Sequence, residues 1–145
     1  MKTVRDILQA KGHEIWSVAP DSTVFDALAL MAEKNIGAVM VIEGGRLVGI
    51  LSERDYARKV ILRGRASRDT AVREIMTTRV VHVHPDTLIE ECMGLMTDRR
   101  IRHLPVMEND RLIGVISIGD VVNTIIAEQR YIISRLRAWH DYDLP

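Results

Sequence analysis

The ten residues Arg46–Asp55, RLVGILSERD, return sixty-five positions later as RLIGVISIGD, Arg111–Asp120. Each copy reads as a short buried strand that begins at arginine, passes through a glycine and ends in a serine and, three residues on, an aspartate. The repeat extends well beyond this stretch. From Pro20 to Asp55 about a third of the positions are identical to their partners in Pro85–Asp120, with no gap. A chain of 145 residues is long enough for one well-buried domain or two half-domains that share a core. An internal repeat of this size implies two similar units that pack against each other with pseudo-twofold symmetry, because neither could bury a core alone.

The order of elements follows from local patterns. Val4–Leu8 and Val72–Met76 are matching helical turns, and the alternating stretches Ile15–Val18 and Val80–Val83 predict strands closed by the turns Pro20-Asp21 and Pro85-Asp86. The first copy carries three additional residues around Gly12–Glu14. Val24, Ala27, Leu28 and Met31 step along one helical face, as do Leu88, Cys92, Leu95 and Met96. Thr87 and Glu90 have capping-box spacing, which makes the second of these helix starts the more strongly signalled. Strands are expected at Ile36–Ile42 and Ile101–Met107, then turns at Glu43–Gly45 and Glu108–Asp110, then the repeated strand. A helix over Tyr56–Leu62 completes the first unit. The expected fold is therefore α+β, two β-α-β-β-α units.

The expected domain limits are 1–62 and 72–127, joined by a basic, polar linker at 63–71, with a helical extension over 128–145. Along the segment that runs from Asp120 to about Trp139, Val122, Ile125, Gln129, Ile132, Leu136 and Trp139 recur at spacings of three and four. The seam either packs on its own domain or pairs across a dimer; about three heptads is marginal for a free-standing coiled coil.

Twenty basic and twenty acidic residues cancel, so the net charge gives no reason to expect nucleic acid or an anionic membrane as partner. Any anion site must be local. The N-terminus has no apolar core of a signal peptide, and no apolar run approaches the roughly 20 residues of a spanning helix. The single cysteine, Cys92, excludes an internal disulfide. A cytoplasmic protein is expected. No phosphate loop, dinucleotide-binding glycine turn or nucleophile elbow occurs. His82, His84, Asp86 and His103 are metal-capable residue types without metal-site spacing, so no metal is expected. Cys92 lies on an apolar helix face, where burial is the default.

The duplicated Gly49-Ile-Leu-Ser-Glu-Arg-Asp55 and Gly114-Val-Ile-Ser-Ile-Gly-Asp120, the strand Ile101-Arg-His-Leu-Pro-Val106 and the paired Val-Arg-Asp/Glu-Ile starts resemble a tandem pair of cystathionine-β-synthase (CBS) domains, a Bateman module. The resemblance covers Val4 to about Ala127. It implies clefts that bind adenine-containing ligands such as AMP, ADP, ATP, NAD or S-adenosylmethionine, with no catalytic residue and no catalytic cofactor. It also implies a homodimer acting as an energy or redox-state sensor for a regulated protein that the sequence does not identify.

The residue chemistry agrees with such a ligand. Asp55 or Asp120 can accept hydrogen bonds from both ribose hydroxyls, and Ser52 or Ser117 can donate to a ribose or phosphate oxygen. The copies keep their cations in different places. The second has Arg102 and His103 at its strand start and Ile118-Gly119 in its loop; the first has Gly37 and Ala38 at its strand start and Arg54 in its loop. Phosphate is expected mainly at Arg102 and His103, helped by Arg54, with Gly37 and Ala38 leaving room for the base. Two unequal sites follow. The expected lining is completed by Ile15, Ile36, Val80, Ile101 and Pro105. Ser52 and Asp55 also suit a helix cap, and the two roles can coexist. Arg63, Arg65, Ser67 and Arg68 either reach a second phosphate or form a solvated linker. Trp16 either stacks on adenine or fills the core. Two rival functions remain open at this point: a small nucleotide-acting enzyme using Asp55 or Asp120 as base, and a structural dimer with vestigial clefts.

Overall fold

The computed structural model describes residues 1–142, with side chains described as far as Ala138. The first repeat contributes α1 (Val4–Lys11), β1 (Ser17–Val18), α2 (Val24–Lys34), β2 (Ala38–Glu43), β3 (Arg46–Ser52) and α3 (Glu53–Lys59). The second contributes α4 (Val72–Ile75), α5 (Ile89–Arg99), β4 (His103–Glu108), β5 (Arg111–Ser117) and α6 (Ile118–Tyr142). The fold is the expected α+β pair with a long C-terminal helix. One sheet has the order β1-β2-β3 and the other consists of β4-β5.

Both hairpins turn on two residues with positive φ, Gly44-Gly45 in one and Asn109-Asp110 in the other. That geometry matches the right-handed twist of the paired strands. The registers are equivalent: Ala38 lies opposite Ser52, and His103 lies opposite Ser117.

The first strands are shorter than expected, and unequally so. β1 is two residues long, and in the second repeat only Val83 bridges to Val106. The cause is Pro105. In the first repeat the Met40 N–H donates to the Trp16 carbonyl at 3.0 Å. Pro105 stands at the equivalent place and has no N–H, so that ladder loses a rung.

Two helix starts also differ from expectation. α5 begins at Ile89 with Leu88 at its N-cap and no side-chain cap bond. The Thr87 hydroxyl instead accepts from the His84 N–H at 3.0 Å, so it stabilises the preceding turn. It is α2 that carries the cap, Thr23 Oγ1 accepting from Asp26 N–H at 3.1 Å. α3 begins at Glu53 rather than Tyr56, because Ser52 and Asp55 form a reciprocal capping box.

The two cores exchange their leading helices. Val4, Ile7 and Leu8 of α1 are buried among Val83, Ile89, Cys92, Met96, Leu104 and Ile116 of the second repeat. Val72 and Ile75 of α4 are buried among Val24, Ala27, Met31, Val39 and Leu51 of the first. Backbone bonds fasten both exchanges: Val4 N–H to Thr87 O and Arg5 N–H to Pro85 O on one side, Val72 N–H to Ser22 O and Arg73 N–H to Pro20 O on the other. Arg5 also pairs with Asp86, and Arg73 with Asp21. Each leading helix therefore helps to complete the other unit's core.

This exchange explains the glycine of the repeated motif. A Cβ on Gly49 would lie 2.7 Å from Met76 Sδ and 3.0 Å from the Thr77 carbonyl oxygen; one on Gly114 would lie 2.7 Å from Leu8 Cδ2. Neither glycine has a positive φ. The requirement is close approach, since only a residue without Cβ lets the exchanged segment lie against the strand.

Val121 of α6 is buried in the second core, with Ile118 and Ile125 packed beside it. Farther along, Tyr131, Ile132, Ile133 and Leu136 are exposed. The expected seam thus divides: its first turns cover their own domain and the later ones do not. Trp139's side chain lies outside the described residues.

Candidate functional site

Two clefts lie where the repeats meet, related by the pseudo-twofold relation. The larger has a volume of about 670 Å³ and the smaller about 380 Å³, both within the range of small-molecule sites. Ser52, Arg54 and Asp55 of the first repeat line the larger cleft together with Val80, Ile101, Arg102 and His103 of the second, and Gly37 reaches its edge. The smaller cleft is lined by Ser117 and His103 from the second repeat and Ile36, Gly37 and Ala38 from the first. Each cleft therefore joins the serine-containing loop of one repeat to the strand start of the other.

Four of the expected residues line neither cleft. Pro105 is buried in β4, where its carbonyl accepts from the Val83 N–H at 3.0 Å. Ile15 is half-buried outside both cavities, and Trp16 faces the smaller cleft in its place. Gly119 lies in the first turn of α6 beside Ser117. Asp120 is screened by Lys11, whose Nζ donates to Asp120 Oδ2 at 2.7 Å and to the Val115 carbonyl at 3.0 Å.

The two carboxylates share one local geometry. Asp55 Oδ2 accepts from Ser52 N–H at 3.0 Å and Ser52 Oγ at 3.1 Å, and its other oxygen pairs with Lys59 at 3.1 Å. Asp120 Oδ2 accepts from Ser117 N–H at 2.8 Å. In both cases the serine Oγ accepts the aspartate N–H at 3.2 Å. Capping fixes both carboxylates, but only Asp55 lines a cleft, and lone pairs remain on it for a ligand that donates.

The clefts differ because the chain edges beside them differ. Thr77 exchanges two backbone hydrogen bonds with Ile50, at 2.9 and 3.0 Å, which closes the larger cleft's floor with main chain. On the other side the three additional residues displace the backbone. Gly12 ends α1 at φ 96°, and side chains take over: Lys11 bonds Val115 O, and His13 Nδ1–H donates to Ile113 O at 2.7 Å. Lys34 sits over the Trp16 ring at 4.2 Å from its centroid.

Several lining residues carry no signal in the linear pattern. Thr77, Arg58, Arg79, Arg99 and Arg100 line the larger cleft, and Lys11, Glu14, Lys34 and Asn35 the smaller. The one available clue is positional, since Arg99-Arg100 and Lys34-Asn35 stand at equivalent places just before a strand start. Two of the linker arginines are engaged elsewhere. Arg65 pairs with Glu74 at 2.6 Å, Arg68 lies over the Phe25 ring at 4.0 Å, and neither lines a cleft.

His103 stands between the clefts, its Cε1 3.3 Å from where a Cβ on Gly37 would be. Burial holds its imidazole below the ordinary value of 6.5, and the Lys11 charge adds to this; Asp120 opposes it and Arg102 reinforces it. A histidine whose folded pKa is depressed binds fewer protons in the native state, so stability falls as pH drops through 6.5 and levels off below the folded value. We therefore expect urea denaturation to show lower stability at pH 5.5 than at 7.5, with a smaller difference in His103→Gln. The window is specific, because Asp6 and Glu74, held low by backbone hydrogen bonds from Thr3 and Ala71, lose their contribution only below about 4.5.

Cys92 is fully buried, and burial pushes its thiol up to about 11, so it is an inert core residue. Among the described residues no group of three or more His, Cys, Asp or Glu is arranged to hold a metal ion, and no helix is long and apolar enough to cross a membrane.

Comparison with known proteins agrees with this architecture. The CBS domain family model matches residues 4–62 and again 72–127. The chain is 42% identical over 147 residues to the mitochondrial CBS domain-containing protein CBSX3 of Arabidopsis thaliana, covering 94% of this chain and 71% of that protein. It is 34% identical to the CBS domain-containing protein YhcV of Bacillus subtilis, covering 83% of this chain and 84% of that one. Among solved structures, a CBS-domain protein of Burkholderia ambifaria assigned to signal transduction superposes with a TM-score of 0.86 at 52% identity, over 88% of this chain and 96% of that chain. The CBS pair of MJ0100, solved with 5′-methylthioadenosine and S-adenosyl-L-methionine, superposes with a TM-score of 0.76 over 88% of this chain and 98% of that one; at 22% identity the likeness is one of fold. The two family matches, on repeats that exchange their leading helices and each end a central hairpin in a capped serine and aspartate, place the chain in the CBS-domain family as a tandem pair, a regulatory module.

Proposed function

We propose that the chain is an adenine-nucleotide sensor whose principal site is the larger cleft. The observation that carries this is the meeting, in one cavity, of Ser52 and Asp55 from the first repeat with Arg102 and His103 from the second. Asp55 receives the ribose hydroxyls, the apolar lining at Ile50, Val80 and Ile101 receives the base, since His103 already fills the space in front of Gly37, and Arg54 and Arg102 take the phosphate. AMP, ADP, ATP and NAD all present these groups. The adenosine compounds held by the MJ0100 pair support the same use of this fold.

Signalling follows from the cleft's construction. A ligand that touches both repeats favours the relative orientation that fits it, and shifts that equilibrium only by its difference in affinity for the two states. The exposed turn of α6 bearing Ile132, Ile133 and Leu136, 55%, 48% and 57% accessible, continues the apolar seam of the helix and is suited to a second copy of the chain. The homodimer then carries occupancy to a regulated protein.

Thermal unfolding with each nucleotide tests the proposal. A ligand at about 100 times its dissociation constant adds roughly 2.7 kcal/mol. Recovery of the ligand unchanged is expected; turnover would favour an enzyme, and no shift with any of the four would leave only a structural role. Light scattering on the same samples should give the mass of a dimer, and Ile132→Glu with Leu136→Glu should give that of a monomer.

A further inference from the structure

Six arginines from four separate segments converge on the larger cleft: Arg54 and Arg58 on α3, Arg79 after α4, Arg99 and Arg100 at the end of α5, and Arg102 before β4. Among the described residues none of the six is in an ion pair. The chain as a whole is neutral, so its carboxylates are placed elsewhere. Only Glu53 and Asp55 among the lining residues are acidic, and Asp55 is already paired with Lys59. Arg54 is held in place by a hydrogen bond from its Nη1 to the Arg100 carbonyl at 2.8 Å, which ties the α3 side of the cleft to the α5 side.

The smaller cleft shows the contrast. Its lysines are engaged, Lys11 with Asp120 and Lys34 with the Trp16 ring, and Glu14 adds an acidic group. Positive charge left without a carboxylate partner is a property of the larger cleft.

Six guanidinium groups facing two carboxylates repel one another, and an anion relieves that repulsion in proportion to its charge. A phosphate monoester brings about two negative charges, and each further phosphate in a chain adds about one. Guanidinium groups also bind phosphate oxygens in bidentate fashion, so a longer phosphate chain can use arginines that a single phosphate leaves idle.

We propose that the larger cleft selects nucleotides carrying two or more phosphates over nucleoside monophosphates, with the phosphate chain laid along these arginines. The proposal rests on the adenine-nucleotide reading above and specifies its ligand.

The test is calorimetric titration of the full chain with AMP, ATP and inorganic tripolyphosphate. At about 50 mM salt, where screening is weak, ATP should bind at least about tenfold tighter than AMP, and the ratio should shrink at about 500 mM. Tripolyphosphate should compete with ATP. Arg99→Gln with Arg100→Gln, both at exposed positions, should bring the ATP-to-AMP ratio below about three. If that variant does not fold, the salt dependence of the wild-type ratio decides. AMP binding as tightly as ATP overturns this proposal and leaves the adenine reading intact. Tripolyphosphate binding without either nucleotide upholds the polyphosphate site and overturns the adenine reading. Binding of none of the three overturns both, and tighter binding of a short single-stranded oligonucleotide than of ATP overturns the nucleotide assignment.

Discussion

Replacing Gly49 by valine is expected to destabilise the protein by about 3 kcal/mol, roughly 10 °C in Tm for a chain of this size. The Cβ alone would stand 3.0 Å from the Thr77 carbonyl oxygen and 2.7 Å from Met76 Sδ. Met76 is flexible and half-buried, and can move. Thr77 cannot move freely, because its N–H and C=O both bond Ile50. The two methyls of valine would force those main-chain bonds apart, and each contributes about 1 kcal/mol. Gly49→Ala should cost less than valine, and less again in a Met76→Ala background, where the coupling energy of a double-mutant cycle isolates the sulfur contact. Additive costs in that cycle would show that the Met76 sulfur yields freely and that the Thr77 main chain alone sets the requirement for glycine. Urea denaturation of the four proteins provides the measurement.

Asp55→Ala and Asp120→Ala should cost similar stability and very different binding. Both aspartates close a capping box, worth about 1 kcal/mol. Asp55 lines the larger cleft, so losing its hydrogen bonds to a ribose should weaken nucleotide binding by about 2 kcal/mol, roughly thirtyfold. Asp120 is screened by Lys11 and lies outside the lining of the smaller cleft. Its removal should change affinity less than about threefold. Equal losses of affinity in the two variants would show that both clefts serve as sites and that Lys11 yields readily to a ligand.

The repeat, the hairpins and the helical faces were legible because each is a local pattern. Gly44-Gly45 and Asn109-Asp110 announce their turns, and Val24, Ala27 and Met31 announce the buried face of α2. Misplaced boundaries came from competition between equally local signals. Thr87 has the right spacing to cap α5, yet its hydroxyl serves His84 instead. Ser52 and Asp55 do cap, which moves the start of α3 forward. Pro105 belonged to the expected site, and its physical effect is the missing rung beside Val83.

The site was legible in part for the same reason. Ser52, Asp55, Arg102 and His103 stand out through a duplicated motif and its divergence. Arg58, Arg79, Arg99 and Arg100 do not, because each reads alone as a solvated surface charge. Only the fold brings them to one cleft.

By itself, the sequence determined that two related units exist, where their hairpins and helices lie, and that their polar ends have diverged. These follow from side-chain periodicity and turn chemistry, which act over a few residues. Tertiary structure alone decided that the leading helices are exchanged, that each cleft mixes the loop of one repeat with the strand start of the other, and that Lys11 covers one carboxylate while Asp55 borders the open cavity. Those outcomes depend on contacts between residues far apart in the chain, such as Arg54 with Arg100, Leu8 against Gly114 and Lys11 against Asp120, where steric fit and charge pairing act without leaving a period in the sequence.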